Sequence, residues 1–486
     1  MQRIRPDRRW PLHDVATTRR IEQAAAAALP PHTLMQRAGL AIARLAMAVA
    51  PHAKTVWIAC GPGNNGGDGL EAALHLQRWG KAPHVTWTGD EGSAPADALA
   101  SLARARAAGV TIRDSQPAAW DLAVDALLGI GVTRAPGGRL AGYVSALNVG
   151  TGPVLAVDVP SGLNADTGTS AAVRATHTLS LLTIKPGLFT AQGRDAAGDV
   201  WFDDLGVGTS IDYGDPRALL FSPGPTSPRL HASHKGSYGD VAVIGGASGM
   251  AGAALLAASA ALHHGAGRVL VGLLDAGAMR VDNVQPELML RAWESLDLRA
   301  MSVACGCGGG DAVRPVLPRV LSTARALVLD ADALNAIAAD RQLQSQLRAR
   351  AGRTDRPTVI TPHPLEAARL LGRSTADVQA DRLSAATQLA HRFSCVAVLK
   401  GSGTITASPL ALPMINFTGN AKLATAGTGD VLTGMIAARM AQGQDAMHAA
   451  SEAVHAHGAA ADNWPAGQPL TAAALARRGL LRPPRE

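Results

Sequence analysis

Hydrophobic positions along the 486-residue chain follow two alternating periods. Residues 14–50, including "TTRRIEQAAAAALPPHTLMQRAGLAIARLAMAVA", carry apolar side chains at three- and four-residue spacing. That spacing predicts amphipathic helix, broken where Pro30 and Pro31 interrupt it. Short apolar runs then alternate with helical stretches: "TVWIAC", "HVTWTG", "LAVDALLG", "VLAVDVP" and "THTLSLL". Strands alternating with helices predict a parallel sheet covered on both faces, with connections long enough for right-handed crossovers. Between residues 206 and 237 the pattern lapses into a stretch rich in Gly, Pro and Ser. It then restarts with "DVAVIGG", "RVLVGLL", "MSVACGCGGG", "RALVLDADALN", "PTVITPHP" and "CVAVLKGSG". Two consecutive α/β domains are expected, residues 1–225 and 226–486, with no short-period repeat.

Composition fits that organisation. Apolar residues make up 47% and charged residues 17%, the balance of a globular chain. Aromatics are only 3%, so alanine, leucine and valine must fill the cores. The formal charge is +7, but arginines crowd the ends, in "RIRPDRRW" and "ARRGLLRPPRE", and are interleaved with acids elsewhere. This argues against a basic nucleic-acid face. The cysteines, Cys60, Cys305, Cys307 and Cys395, form no C-x-x-C pair and read as buried or loop thiols of a reducing compartment. The N-terminus shows no apolar signal region, and the longest apolar stretch, residues 250–262, is shorter than the roughly 20 residues that span a bilayer. A cytoplasmic homo-oligomer with neither membrane nor nucleic-acid partner is expected.

Chemistry in such sheets collects at the carboxyl ends of the strands. After "TVWIAC" comes "GPGNNGGDG", where Gly61, Gly63 and Gly66 have the dinucleotide-loop spacing, and Asn64, Asn65 and Asp68 add polarity that such a loop does not require. The loop is expected to lead into a helix after Gly69 whose N-terminus faces an anion. Asp125 precedes Gly129 and Gly131, Asp158 precedes Ser161, and Lys185 ends "LLTIK", where it reads as a base candidate or a lysine reaching solvent. Asn65, Asp125 and Ser161 offer amide, carboxylate and hydroxyl oxygens, which suit a hard cation rather than zinc. Each aspartate alone fits a helix cap equally well.

In the second half, "TAGTG" precedes a helical pattern starting near Asp430. The N–H groups of Gly427, Thr428 and Gly429 would surround an anion there, and Asp430 stands where a base could take a hydroxyl proton during phosphoryl transfer, or merely cap the helix. "KGSGT", Lys400 to Thr404, is a turn suited to phosphate or adenine. Asp330 and Asp332 could bind magnesium through water or cap the following helix.

"GPGNNGGDG", "DALLGIG" and "AVDVPSGLNADTG" together resemble the NAD(P)H-hydrate epimerase domain over about residues 10–215. The resemblance implies a Rossmann-like parallel α/β sandwich that inverts C6 of a hydrated nicotinamide ring. It implies that Asn64, Asn65, Gly66, Gly67, Asp68, Gly129, Ile130, Gly131, Val132, Thr133, Arg134, Ala135 and Asp158 contact the hydrate. Asn65, Asp125 and Ser161 would hold potassium, and Asp158 is the candidate for proton transfer. "SYGDVAVIGGASGMAGAALLAA", "LDADALN", "TPHPLEAARLL", "LKGSGTIT" and "GTGDVLTG" resemble the ribokinase-like, ADP-dependent NAD(P)H-hydrate dehydratase over about residues 228–470. By that resemblance Ala253, Gly306, His363 and Asp430 contact the hydrate. Lys400, Gly401, Ser402, Gly403, Thr404 and Gly429 contact the adenine nucleotide, which comes with magnesium. Phosphoryl transfer to the C6 hydroxyl, with Asp430 as base, followed by loss of phosphate would restore the dihydropyridine. Leu365 and "ACGCGGG" depart from the family's usual glycine and proline-containing turn. A small-molecule kinase with a fused dinucleotide module and a non-catalytic nucleotide sensor remain the alternatives.

Overall fold

The computed structural model describes residues 1–132, 134–169, 172–208, 213–224, 230–275, 277, 279–353 and 355–478. These form two compact units. One comprises Met1–Arg5 and Trp10–Leu219, the other Pro6–Arg9 and the described part of Leu220–Glu486. The expected division at residue 225 falls outside the described residues.

The first unit is built on a sheet whose order is Gln2–Arg3, Asp199–Asp203, His177–Leu181, Val154–Val157, Leu122–Ala126, Thr55–Cys60, Ala82–Trp87, Ile112–Arg113. All neighbours are parallel except Gln2–Arg3, which pairs antiparallel with Asp199–Asp203. Central strands are apolar throughout because both faces are covered. Along Thr55–Cys60, side chains alternate between two cores. Val56, Ile58 and Cys60 pack against helices Thr33–Val49, Asn64–Arg78 and Ala96–Ala107. Trp57 and Ala59 face Tyr143 and Leu147 of helix Gly138–Val149, with Trp57 edge-on to Tyr143 at 5.6 Å. The proline pair separates helices Val15–Ala27 and Thr33–Val49, as the spacing predicts.

In the second unit, parallel strands run in the order Met289–Leu290, Arg268–Leu273, Asp240–Gly245, Ser302–Cys305, Ala326–Leu329, Thr358–Ile360, Val396–Leu399. Strands Ile405–Ser408 and Ala411–Ile415 extend this order antiparallel. With few aromatics, the core relies on close approach of small-residue helices. A Cβ at Gly434, in helix Thr428–Ala441, would lie 1.9 Å from the Ala257 carbonyl of helix Ala251–His263. All four cysteines are buried free thiols. Among the described residues no helix is long and apolar enough to cross a membrane.

Each sheet reverses its winding once. In the first unit the chain steps from Thr55–Cys60 to Ala82–Trp87 on one side and later to Leu122–Ala126 on the other. In the second it steps from Asp240–Gly245 to Arg268–Leu273, and later to Ser302–Cys305 across from it. Diverging connections leave a crevice at the carboxyl ends of these strand pairs.

Candidate active sites

In the first unit that crevice is a cavity of about 1100 Å³. Its lining includes Asn64, Asn65, Asp68, Gly129, Ile130, Gly131, Val132, Arg134, Ala135 and Asp158. Gly66 and Gly67 do not line it, and Thr133 lies outside the described residues. The reason is a departure from the sequence expectation. The helix starts at Asn64, with Gly63 as its cap, and not after Gly69. "NNGGDG" is therefore the first turns of a helix rather than a loop. A Cβ at Gly66 would sit 2.0 Å from the Gly61 carbonyl oxygen, and one at Gly67 2.6 Å from Met35 Sδ. These two glycines let the helix press against the strand end and Met35, while Asn64, Asn65 and Asp68 face the cavity.

Asp125 is fully buried at the end of its strand. It accepts hydrogen bonds from Ser161 N (2.8 Å), Ser161 Oγ (2.6 Å) and Leu127 N (3.3 Å). Burial pushes its carboxyl up to about 6 against the opposing effect of those bonds. Ser161 Oγ also accepts from Leu128 N at 2.8 Å. The next residue, Gly129, lies against Asn65, with its Cβ position 3.3 Å from Asn65 Oδ1. Asn65 is 9% exposed and its Nδ2 has no hydrogen-bond partner. That NH2 group needs an acceptor, so the case for a cation rests on the neighbouring oxygens alone: Asn65 Oδ1, the Asp125 carboxylate and Ser161 Oγ. The donor set is all oxygen, so the residues fit a hard monovalent cation such as potassium.

Asp158 adopts a positive φ of 65°, which aspartate tolerates better than most residues. Its Oδ1 accepts from Leu181 N at 3.0 Å and from the Lys185 ammonium. Lys185 is completely buried and also donates to the carbonyls of Leu181 (2.7 Å) and Thr183 (3.0 Å). The reading of Lys185 as a strand-end lysine reaching solvent is thereby corrected. A lysine inside an apolar run, "LLTIKPG", was the available signal for a buried partner. Asp68 sits in a different environment. Desolvation, then the neighbouring carboxylates of Asp158 and Glu22, holds its carboxyl well above the usual range. One cavity thus presents a carboxylate fixed by a lysine and a carboxyl biased towards its neutral form, the arrangement acid–base chemistry requires.

In the second unit the site forms where strand ends meet helix Thr428–Ala441. Gly427, at φ 86°, caps this helix, so Asp430 in its first turn is not the cap. Thr428 N–H turns back to the Thr425 carbonyl at 3.4 Å rather than pointing outward as expected. Burial, then Asp330, raises the Asp430 carboxyl to about 6. The Cys307 thiol donates to Asp430, and the ligand atoms of Cys307, Asp330 and Asp430 all lie within 4.8 Å of one another. Burial, then Asp430 and Asp330, pushes this thiol far up, so it remains a protonated donor. Sequence reasoning missed Cys307 as a neighbour of the base. Its place directly after Gly306, in a turn that departs from the family form, was the clue.

Asp330 does not take the capping role offered for it. Its side chain makes no cap bond to the helix that follows. Instead Lys400 Nζ donates to Oδ1 at 2.6 Å and Thr433 Oγ1 donates to Oδ2 at 2.8 Å. The Lys400 ammonium thus balances the charge of this carboxylate. Asp332 Oδ2 is likewise engaged, by Gly310 N at 2.8 Å. Gly429 joins the cluster: a Cβ there would lie 3.3 Å from Lys400 Nζ. Gly401 and Gly403 take φ 131° and 62°, and Thr404 Oγ1 donates to the Gly401 carbonyl at 3.0 Å, fixing the turn that also carries Ser402. Gly306 has φ 120°, and a Cβ there would lie 2.0 Å from the Asp330 carbonyl oxygen, so packing alone requires glycine. Ala253 packs beside this turn, 2.9 Å from the Cβ position of Gly308. His363 serves as a helix cap. Its Nδ1 accepts from Leu365 N (3.1 Å) and Glu366 N (3.3 Å), and its Nε2 lies 3.3 Å from Glu366 Oε1, with the histidine side chain still 45% exposed.

The sequence profile described as NAD(P)H-hydrate dehydratase matches residues 241–478, and that of the YjeF-related protein N-terminus matches residues 31–187. A bifunctional NAD(P)H-hydrate repair enzyme of Escherichia coli is 37% identical over 491 residues, covering 97% of this chain and 91% of that protein. An ADP-dependent (S)-NAD(P)H-hydrate dehydratase of Neisseria meningitidis is 44% identical over 252 residues, covering 50% of this chain and 83% of its own. An ADP/ATP-dependent NAD(P)H-hydrate dehydratase of Bacillus subtilis, co-crystallised with ATP and magnesium, superposes with a TM-score of 0.43 at 32% identity, covering 51% of this chain and 90% of its own.

Proposed function

The chain belongs to the bifunctional NAD(P)H-hydrate repair enzymes, and from that premise we propose that each sheet crevice carries one of the two activities. Residues 1–225 form the epimerase domain, which interconverts the R and S hydrates. Residues 226–486 form the ribokinase-like dehydratase domain, which restores NAD(P)H from the S hydrate with conversion of ADP to AMP and phosphate.

The observation that carries this reading is the placement of Asp430. It stands beside the glycine-capped helix start with its carboxylate free of capping duty, and next to the Lys400–Asp330 pair. Asp430 takes the proton of the C6 hydroxyl as that oxygen attacks the transferring phosphoryl group. Lys400, with the turn through Gly401, Ser402, Gly403 and Thr404, binds the nucleotide and balances its charge. Magnesium would accompany the nucleotide and supply positive charge to the transferring group. Ala253, the turn at Gly306 and the exposed edge of His363 line the approach of the hydrate. Loss of phosphate then regenerates the dihydropyridine.

In the epimerase site the dinucleotide lies in the cavity between the helix start at Asn64 and the segment Gly129 to Ala135. Asn65, Asp125 and Ser161 would hold potassium, which would supply fixed positive charge near the substrate. Asp158, held by Lys185 and Leu181 N, takes part in proton transfer at C6.

The test is direct. Purified protein, magnesium and ADP are added to an R/S mixture of hydrated NADH, and the return of dihydronicotinamide absorbance is followed. Complete return for both epimers is expected. A stable phosphorylated product without that return would mark a small-molecule kinase, and no turnover would mark a sensor.

A further inference from the structure

We propose that Asp68 is the general acid of the epimerase site and delivers the proton that lets the C6 hydroxyl leave. The inference rests on the epimerase reading above and adds a role for one residue of that site. The carbon to be inverted carries a hydroxyl and is bonded to the ring nitrogen. Its configuration is lost when the C6–O bond breaks and the nitrogen lone pair forms a C6=N1 bond. Hydroxide leaves poorly, and a neutral carboxyl that hands over its proton turns it into water. The site therefore needs one carboxyl that is protonated and one that is ionised, within the same cavity.

The charged neighbours of Asp68 divide along that line. Glu71 is in an ion pair with Arg104 at 2.7 Å, and Asp97 is paired with His32. Asp158 is fixed as a carboxylate partner of buried Lys185. Asp68 makes no ion pair and no side-chain hydrogen bond among the described residues, yet it lines the cavity together with Asp158. After desolvation, the largest influences on it are all carboxylates: Asp158, Glu22, Glu71 and Asp97. Glu22 also lines the cavity, and burial, then Asp158, raises its carboxyl too, but Lys185 and Arg19 oppose that rise, whereas no cation is among the largest influences on Asp68. An unpaired carboxyl, desolvated and with carboxylates as its strongest charged neighbours, holds its proton.

The step balances. The Asp68 O–H bond breaks and its proton joins the hydroxyl oxygen. The C6–O bond breaks with its electron pair, water leaves, and C6=N1 forms. Water then adds to the opposite face of C6, the π pair returns to nitrogen, and the added water loses a proton to Asp158. Passage of that proton to Asp68 through cavity water resets the pair without any other reactant.

The experiment uses the full-length protein, purified R hydrate and potassium buffer without nucleotide, with the R/S ratio followed by NMR across pH. The wild-type rate is expected to fall on the alkaline side as Asp68 loses its proton. Asp68→Asn should be slower by about a hundredfold and lose that alkaline limb, whereas Asp68→Glu should regain part of the rate and keep a shifted limb. Dehydration of S hydrate with ADP in the same samples should survive both changes. If the wild-type chain does not interconvert the epimers, the epimerase reading fails. If it does and Asp68→Asn keeps its rate within about threefold, or keeps the limb, the acid assignment is wrong. Loss of the limb in Glu22→Gln would transfer the role to Glu22 and likewise overturn it. Should Asp68→Asn not fold, an unshifted limb in Asp68→Glu overturns the assignment and a shifted one upholds it.

Discussion

Replacing Asp330 by asparagine removes the counter-charge of Lys400 while keeping the shape of the side chain. Asp330 is 2% exposed and Lys400 19%, and their ion pair is 2.6 Å long, with Thr433 completing the carboxylate's bonds at 2.8 Å. Breaking a buried pair by removing one partner costs about 3–5 kcal/mol. The partial exposure of Lys400 gives its ammonium some access to water, so the lower end, about 3 kcal/mol, is the appropriate expectation. For a domain of this size each kcal/mol moves the midpoint by roughly 2–4 °C, so the second unit should unfold about 6–12 °C earlier. Differential scanning calorimetry of the full chain reads this shift. A double variant, Asp330→Asn with Lys400→Met, removes both charges and should recover much of the loss, giving a coupling energy in a double-mutant cycle. Since Lys400 also faces the nucleotide in the proposed mechanism, KM for ADP should rise in the single variant by about tenfold, the equivalent of 1.4 kcal/mol. A midpoint within about 2 °C of wild type, corresponding to less than 1 kcal/mol, together with no coupling, would refute the argument that this pair is buried and uncompensated without its partner.

Asp430→Asn should lower dehydration by about a hundredfold or more, within the range for loss of a general base, while circular dichroism stays native because Gly427 provides the helix cap. The same residue sets a pH dependence. A base with its carboxyl raised to about 6 must lose its proton, so dehydration should rise with pH through that value. The folded value lies above the unfolded one, so the native state binds the extra proton and loses stability as pH rises from about 4 to 6. Asp430→Asn should therefore unfold later than wild type at pH 8, by an amount that vanishes near pH 4; an Asn variant less stable at pH 8 would contradict the burial argument. Asp125→Ala should weaken the potassium dependence of epimerisation and leave dehydration of pure S hydrate running, as seen by titrating potassium in both assays.

The sequence made the strand and helix alternation readable because parallel strands buried on both faces are apolar at every position, as in Thr55–Cys60 and Ser302–Cys305. It also placed Asn65, Asp68, Asp125 and Asp158 after strand ends, where one rule of open sheets locates ligands, and Asp430 at a helix start. What escaped it depends on neighbours distant along the chain. Glycines 66 and 67 look like a flexible loop until the Gly61 carbonyl and Met35 are seen against them. Lys185 looks like a solvent lysine until Asp158 and two carbonyls surround it. Asp330 invites a cap reading until Lys400, seventy positions later, reaches it. Pro6–Arg9 belong with the second unit, where Ser222 Oγ donates to the Pro6 carbonyl at 2.9 Å, and no local pattern marks a four-residue exchange of that kind.

The division of labour can be tested with intact chains, which avoids separating Pro6–Arg9 from the unit they join. Asp430→Asn should still interconvert the epimers but not consume them. Asp158→Asn should drain S hydrate with ADP and leave the R form to its slow spontaneous inversion. Neither variant alone clears both epimers quickly. Because epimerisation is an equilibrium, removal of the S form by one chain pulls the R form through the other, provided the hydrate leaves the first site and reaches the second through solution. An equimolar mixture should therefore clear both epimers, and its rate should rise with the concentration of whichever variant is limiting. If the mixture clears the R form no faster than Asp158→Asn alone, while Asp430→Asn measured separately interconverts the epimers at the wild-type rate, then free exchange of hydrate is refuted and transfer within one chain is required. If Asp158→Asn alone clears both epimers as quickly as wild type, the first cavity is not where inversion takes place.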